Sequence, residues 1–233
     1  MSPDSVAEPA ERTLFRVGGI SAIALGSSYL VITALYVLAG AVPSGGEAWL
    51  EYLAGHTAVW WAILGLSVLT DFLFLPVAWS LYVALKSANG NATLVSVSLL
   101  VVFAVLDLAV TWPNYASLLS LSGDYAAATT DAQRAASVAA TSYPLAVLTS
   151  SLFAVYAILV PSLGILVVSL VMLKGVFGKS TAYLGVLTGI LGIVSVVGPF
   201  FLKALDATVI VTSVLTTLWV LFVGYRMLRF DRR

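Results

Sequence analysis

Residues 59–121 read VWWAILGLSVLTDFLFLPVAWSLYVALKSANGNATLVSVSLLVVFAVLDLAVTWPNYASLLSL. Two apolar runs flank the polar stretch Lys86-Ser87-Ala88-Asn89-Gly90-Asn91, and each run carries one acid, Asp71 or Asp107. Each run exceeds the roughly 20 helical residues that cross a hydrocarbon core of about 30 Å. Only a helix or a closed barrel satisfies every backbone group there, and the alternation of a barrel strand is missing. The stretch therefore predicts an antiparallel pair of transmembrane helices joined by a short turn.

Working outward, the chain shows six apolar segments, 17–41, 59–85, 94–121, 144–173, 181–202 and 205–226. The fold class expected is all-α: a polytopic integral membrane protein, a bundle of six transmembrane helices over 17–226 as one domain. A polar tail, 1–16, precedes it and a basic tail, 227–233, follows it. Composition agrees, since 61% of the 233 residues are hydrophobic and 9% charged, and the mean hydropathy is +1.05. Soluble domains run at about 45–50% apolar and about 25% charged, so a globular cytoplasmic enzyme is excluded. Arg12 and Arg16 before the first segment and Ala39-Gly40-Ala41 at its end resemble a signal peptide. The apolar run is longer than a signal core and further spans follow, so a retained helix is expected.

Of the basic residues, Arg12, Arg16, Lys86, Lys174, Lys179, Arg226, Arg229, Arg232 and Arg233 fall on one side of this arrangement. Arg134 and Lys203 fall on the other. The positive-inside rule then makes both termini cytoplasmic and turns Glu47, Glu51, Asp124 and Asp131 outward. Asn91-Ala92-Thr93 spells a glycosylation acceptor but sits in the cytoplasmic turn, where a turn and helix cap is expected. Two outer connections are expected to be helical: 47–53, with Trp49 and Leu53 on one face, and 131–140, capped by Thr130 or Asp131. Each serves either as a cover over an opening or as a tether.

Several functions are excluded by what is missing. A net charge of zero leaves no basic surface for nucleic acid. Without cysteine, and with His56 as the lone histidine at the outer surface, there is no disulfide, thiolate zinc site, iron–sulfur cluster or haem site. No cofactor, metal site or catalytic residue is called for. No Walker A, zinc-protease, Gly-x-Ser-x-Gly or dinucleotide fingerprint occurs, which weakens an enzyme reading.

Helix packing has its own signals. Gly18, Ala22 and Gly26 share one face of the first helix, and Gly185 with Gly189 forms a GxxxG in the fifth. Such faces allow close approach, within one chain or between copies, so a homo-oligomer stays open. Pro76, Pro113 and Pro161 each remove a backbone donor inside a span, and together can open a cavity.

Asp71 and Asp107 lie eighteen residues on either side of Asn89, which places them at equal depth in a hairpin. Charges inside a membrane cost about 2.5–3.5 kcal/mol each, so two of them raise a functional hypothesis. The face of Asp71 also carries Ser67, Ala78 and Tyr82. That of Asp107 carries Ser96, Thr111 and Asn114. Thr208, Thr212 and Thr216 line the sixth helix and supply a third wall. No Lys, Arg or His lies deep in any span, so protonation of one or both acids, a shared proton or a bound cation is expected to neutralise the pair; the alternative is structural, each acid hydrogen-bonding a neighbouring Thr, Ser, Tyr or indole. Trp112 and Tyr115 beside Asp107 suit an organic ammonium, although an interfacial aromatic belt accounts for most other aromatics.

The short motifs Arg16-Val17-Gly18-Gly19-Ile20, Leu81-Tyr82 with Leu85-Lys86, Tyr183-Leu184-Gly185 and Val223-Gly224-Tyr225-Arg226 run through nearly the whole chain. Together with an acid in the second and third helices, they resemble the uncharacterised prokaryotic multi-pass membrane proteins that carry domain of unknown function 4386. The resemblance implies six helices and a plasma-membrane location, and transfers no catalytic residue. The expected function is binding or transport of a small solute or cation at the carboxylate pair. One alternative is an intramembrane acid/base enzyme acting on a lipid or isoprenoid; another is a partner subunit without chemistry. The expected partners are the lipid bilayer and a small-molecule or cation ligand.

Overall fold

The computed structural model describes residues 9–175 and 177–230. Residues 1–8 of the expected N-terminal tail and Asp231, Arg232 and Arg233 of the C-terminal one lie outside the described residues. Helices follow one another as α1 (Pro9–Ala39), α2 (Gly46–Gly55), α3 (Thr57–Leu106), α4 (Trp112–Ala127), α5 (Asp131–Ala140), α6 (Ser142–Leu148), α7 (Ser151–Ala154), α8 (Val160–Met172), α9 (Lys179–Val197) and α10 (Thr208–Phe230). Five stretches are long and apolar enough to cross a membrane: Glu11–Ala39, Thr57–Ala127, Ser151–Met172, Lys179–Phe200 and Lys203–Phe230. The described residues are all-helical, and these five stretches have the length and composition of membrane-spanning helices.

The longest stretch is folded in two. Asn89 leaves the helical region, with φ −163° and ψ 92°, inside α3. Residues on either side of it then meet in mirrored pairs: the Thr93 hydroxyl reaches the Leu85 carbonyl (3.4 Å), Phe74 meets Phe103 edge-on (5.6 Å), and Trp60 stacks on Tyr115 (5.4 Å). The expected hairpin is present. Its cap is Asn89 rather than the Asn91-Ala92-Thr93 stretch assigned from the sequence. The Asn89 Oδ1 accepts from the Ala92 N–H (3.1 Å), the geometry of an N-cap at the start of the returning arm.

α1 packs on α3 and α10, α8 on α3 and α9, and α10 on α9. The glycine faces are used in these contacts. A Cβ on Gly18 would meet Ser80 and the Pro76 carbonyl, and one on Gly26 would meet Leu221. The GxxxG pair lies against α8 and α10, Gly185 facing Ser169 and Trp219, and Gly189 facing Leu166. Hydrogen bonds tie the same seams, Ser80 to the Leu14 carbonyl (2.9 Å) and Ser96 to the Gly164 carbonyl (2.7 Å).

Both described chain ends, the Asn89 turn and the 173–178 connection gather at one end of the bundle. Lys86 pairs with Glu11 (3.5 Å), and Phe230 meets Phe15 and Phe177 (5.9 and 5.2 Å). We call this the terminal end. The distal end holds α2, α5, α6 and the turn from α9 to α10.

Three boundaries differ from the sequence reading. α1 begins at Pro9, so residues 9–16 of the expected tail are helical. The C-terminal tail expected from 227 is helical as far as Phe230. The apolar run 144–173 is broken at Thr149 and Ser150, whose hydroxyls donate to the carbonyls of Leu145 and Val147 (2.7 Å each). Ser150 then caps α7 by accepting from the Phe153 N–H (3.2 Å). Side-chain hydroxyls compete with the helical ladder, so a continuous apolar reading overlooks the break. The membrane-length helix in this region begins at Ser151.

The two outer connections differ in role. Leu50 and Leu53 of α2 are fully buried, Leu53 in a cluster with Trp60, Ile63 and Leu118, so α2 is a cover. The Tyr125 hydroxyl fastens it by donating to Glu47 Oε1 (2.9 Å). α5 carries a capping box between Thr130 and Gln133 but buries only Ser137, and acts as a tether.

Candidate functional site

Asp71 and Asp107 are buried, with 1% and 7% of their surface exposed, and both line one cavity of about 340 Å³ between α1, the α3 hairpin, α8 and α10. Each carboxylate has a neutral donor. The Trp112 indole N–H donates to Asp71 Oδ2 (2.6 Å), which links the two arms of the hairpin. The Thr111 hydroxyl donates to Asp107 Oδ1 and lies 3.0 Å from the Tyr156 hydroxyl. Among the described residues, no Lys, Arg or His lines the cavity. Oxygen donors without nitrogen or sulfur suit a hard cation or an ammonium, not a soft metal. Among the described residues, no three His, Asp or Glu side chains cluster as metal ligands.

The backbone is irregular where the cavity sits. Asp107–Thr111 is a π-helical turn followed at once by Pro113, and Val155–Leu159 is another followed by Pro161. In a regular helix the proline ring would collide with the carbonyl four residues earlier and leave it without a donor. Widening the preceding turn by one residue relieves that collision, and such bulges recur at functional sites. Asp107 lies in the first bulge, and Ala157 and Ile158 of the second line the cavity. Pro76 differs, because helical geometry continues through it.

Of the residues singled out from sequence, Ser67, Asp71, Asp107, Trp112, Thr212 and Thr216 line the cavity. Thr111 stands behind Asp107 as its hydrogen-bond partner. Tyr115, Asn114 and Tyr82 do not reach it, nor do Ala78, Ser96 and Thr208 of the same stripes. Tyr115 stacks on Trp112 (5.9 Å) and Trp60, so it backs the wall. The Asn114 amide donates to the Val110 carbonyl (2.7 Å), a local bond that occupies it. Tyr82 lies toward the terminal end beside Trp79 (6.1 Å), where the stripe of Asp71 has passed below the cavity. His56 is held at the distal end, its Nδ1 2.8 Å from the Tyr52 carbonyl.

The sequence reading missed one wall. Tyr29, Thr33 and Tyr36 of α1 line the cavity, as do Thr70, Ser162, Ser213 and Thr217. The α1 residues continue the face of Gly18, Ala22 and Gly26 at helical spacing, so small residues in one half become polar residues in the other. That change of character along one face was the available signal.

No protein-family model, no curated protein and no solved structure matches this chain.

Proposed function

We propose that this chain binds a small cationic solute at Asp71 and Asp107, as a six-span protein of a prokaryotic cytoplasmic membrane with both termini inside. The observation that carries this reading is a buried pair of carboxylates in one cavity without a basic group beside them. Burial of uncompensated acids is costly, and it is retained where a ligand supplies the missing charge. Six spans are supported by length: the stretch Thr57–Ala127 has 71 residues. At 1.5 Å per residue it would reach about 105 Å if straight, against a core of about 30 Å, and it folds at Asn89 instead. The orientation is supported by Arg12, Arg16, Lys86, Lys174, Lys179, Arg226 and Arg229 at the terminal end.

The test is a thermal-shift screen of the purified protein against inorganic monovalent cations and small ammonium ions. Wild type is expected to be stabilised by at least one of them, and Asp71→Asn and Asp107→Asn are each expected to lose that response. Equal responses in wild type and both variants would overturn the reading.

A second reading is favoured by one observation: the exposed lining residues of the cavity lie on the bundle's flank. An intramembrane acid/base enzyme needs access of this kind, with one carboxyl as acid and the other as base on an uncharged lipid. Lipid turnover that disappears in Asp107→Asn would support it, and unchanged lipid masses after incubation with wild type would end it.

A further inference from the structure

Aromatic side chains bound the cavity toward both ends of the bundle. On the distal side an aromatic cluster fills the space: Tyr36 meets Trp60 edge-on (5.7 Å), and Trp60 stacks on Tyr115 and touches Trp49 (5.9 Å). The cover α2 lies over this cluster. On the terminal side Phe74 and Phe103 meet above the main core, which includes Leu81, Leu100 and Val168.

The flank is different. Of the side chains lining the cavity, Thr33, Tyr36 and Ser213 are exposed, and they belong to α1 and α10. These helices touch closely at Gly19 with Gly224 and at Gly26 with Leu221. Further toward the distal end, cavity lies between them. The surface around the gap is apolar and exposed, with Val31, Val37, Ile210 and Val214, so in a bilayer it faces acyl chains.

We propose that the Asp71–Asp107 cavity is loaded from the bilayer through a lateral portal between α1 and α10, and that its ligand is an amphiphilic amine. This rests on the reading that the carboxylates bind a cation. The portal selects molecules that partition into the membrane. The two carboxylates select a positive head and, with no basic residue in the lining, repel phosphate-bearing lipids. Ile32, Phe74, Phe103, Ile158 and Ile165 accommodate an apolar body; at the entrance the head meets the Tyr36 hydroxyl and the remaining lone pairs of Thr33 and Ser213, whose hydroxyls donate to the Tyr29 and Val209 carbonyls. The volume falls within the usual range of small-molecule sites, about 300–1,000 Å³.

The chain contains no cysteine, so a single introduced thiol can be labelled alone. Thr33→Cys, Ser213→Cys and, as a control on an exposed position outside the cavity, Phe72→Cys are reconstituted in phosphatidylcholine nanodiscs. Association of radiolabelled octylamine is measured for each variant before and after reaction with a bulky maleimide, with radiolabelled methylammonium as the hydrophilic comparator. Labelling at position 33 or 213 is expected to slow octylamine association about tenfold, while labelling at 72 leaves it unchanged. Unchanged association after labelling at both rim positions would overturn the portal. So would binding of methylammonium in a wild-type protein that takes up no octylamine, although the carboxylate site itself would then stand. If Asp71→Asn combined with Asp107→Asn binds octylamine like wild type, the site reading fails instead.

Discussion

With asparagine at both 71 and 107, the empty protein is expected to be more stable than wild type by about 1 kcal/mol while its cation response disappears. The sign follows from two opposed quantities. Each charged side chain at mid-membrane costs about 2.5–3.5 kcal/mol, whereas a hydrogen bond between transmembrane helices returns about 0.6 and at most about 1.7 kcal/mol. Trp112 to Asp71 and Thr111 to Asp107 are the bonds in question, and at about 0.6 kcal/mol each they do not offset even the one charge left when the pair shares a proton. Asparagine keeps a carbonyl oxygen for each donor, so it spares the bond and replaces the cost of a charge by the smaller cost of a neutral amide. Thermal or denaturant melting in detergent, without added cations, measures the outcome. A lower melting point in the double variant would mean that the acids hold the bundle together, and the binding reading would fall.

Gly189→Val is expected to destabilise the bundle by about 3 kcal/mol, the upper end of what overpacking costs. A Cβ at this position would lie 2.8 Å from the Ser162 carbonyl oxygen and 2.9 Å from the Leu166 Cα. Both are main-chain atoms of α8, so no rotamer change relieves the clash and the two helices have to separate. The loss would also reach the cavity, because Ser162 and Ile165 of α8 line it. Gly65→Ala supplies the control: Gly65 has open space around its Cβ position, and alanine is the better helix former by about 1 kcal/mol. Size-exclusion profiles and melting points of the two variants should therefore move in opposite directions. Equal behaviour would show that the α8–α9 seam is looser than described.

The hairpin was readable because two periodicities agree, the length of each apolar run and the equal offset of Asp71 and Asp107 from Asn89. Helical phase also placed Ser67, Thr212 and Thr216 along the cavity, since a regular helix carries phase faithfully over a few turns. It fails where the helix is irregular. The widened turn at 107–111 shifts the register of everything after it, and Asn114, assigned to the face of Asp107, points to its own backbone instead. The polar half of α1 was overlooked for a different reason. A tyrosine near the end of a span reads equally as an interfacial anchor or as a cavity wall, and only packing separates these. The break at Thr149-Ser150 was invisible to hydropathy because it is made by three hydrogen bonds, not by a change in polarity.

The two widened turns make chain length an angular quantity in this protein. A residue in an α-helix advances the chain by about 100° around its axis. Removing one residue from 107–111 would thus leave no loop shorter. It would take out the one step that the widened turn absorbs, leaving the segment beginning at Trp112 facing as it does now while presenting Pro113 to a carbonyl it now avoids.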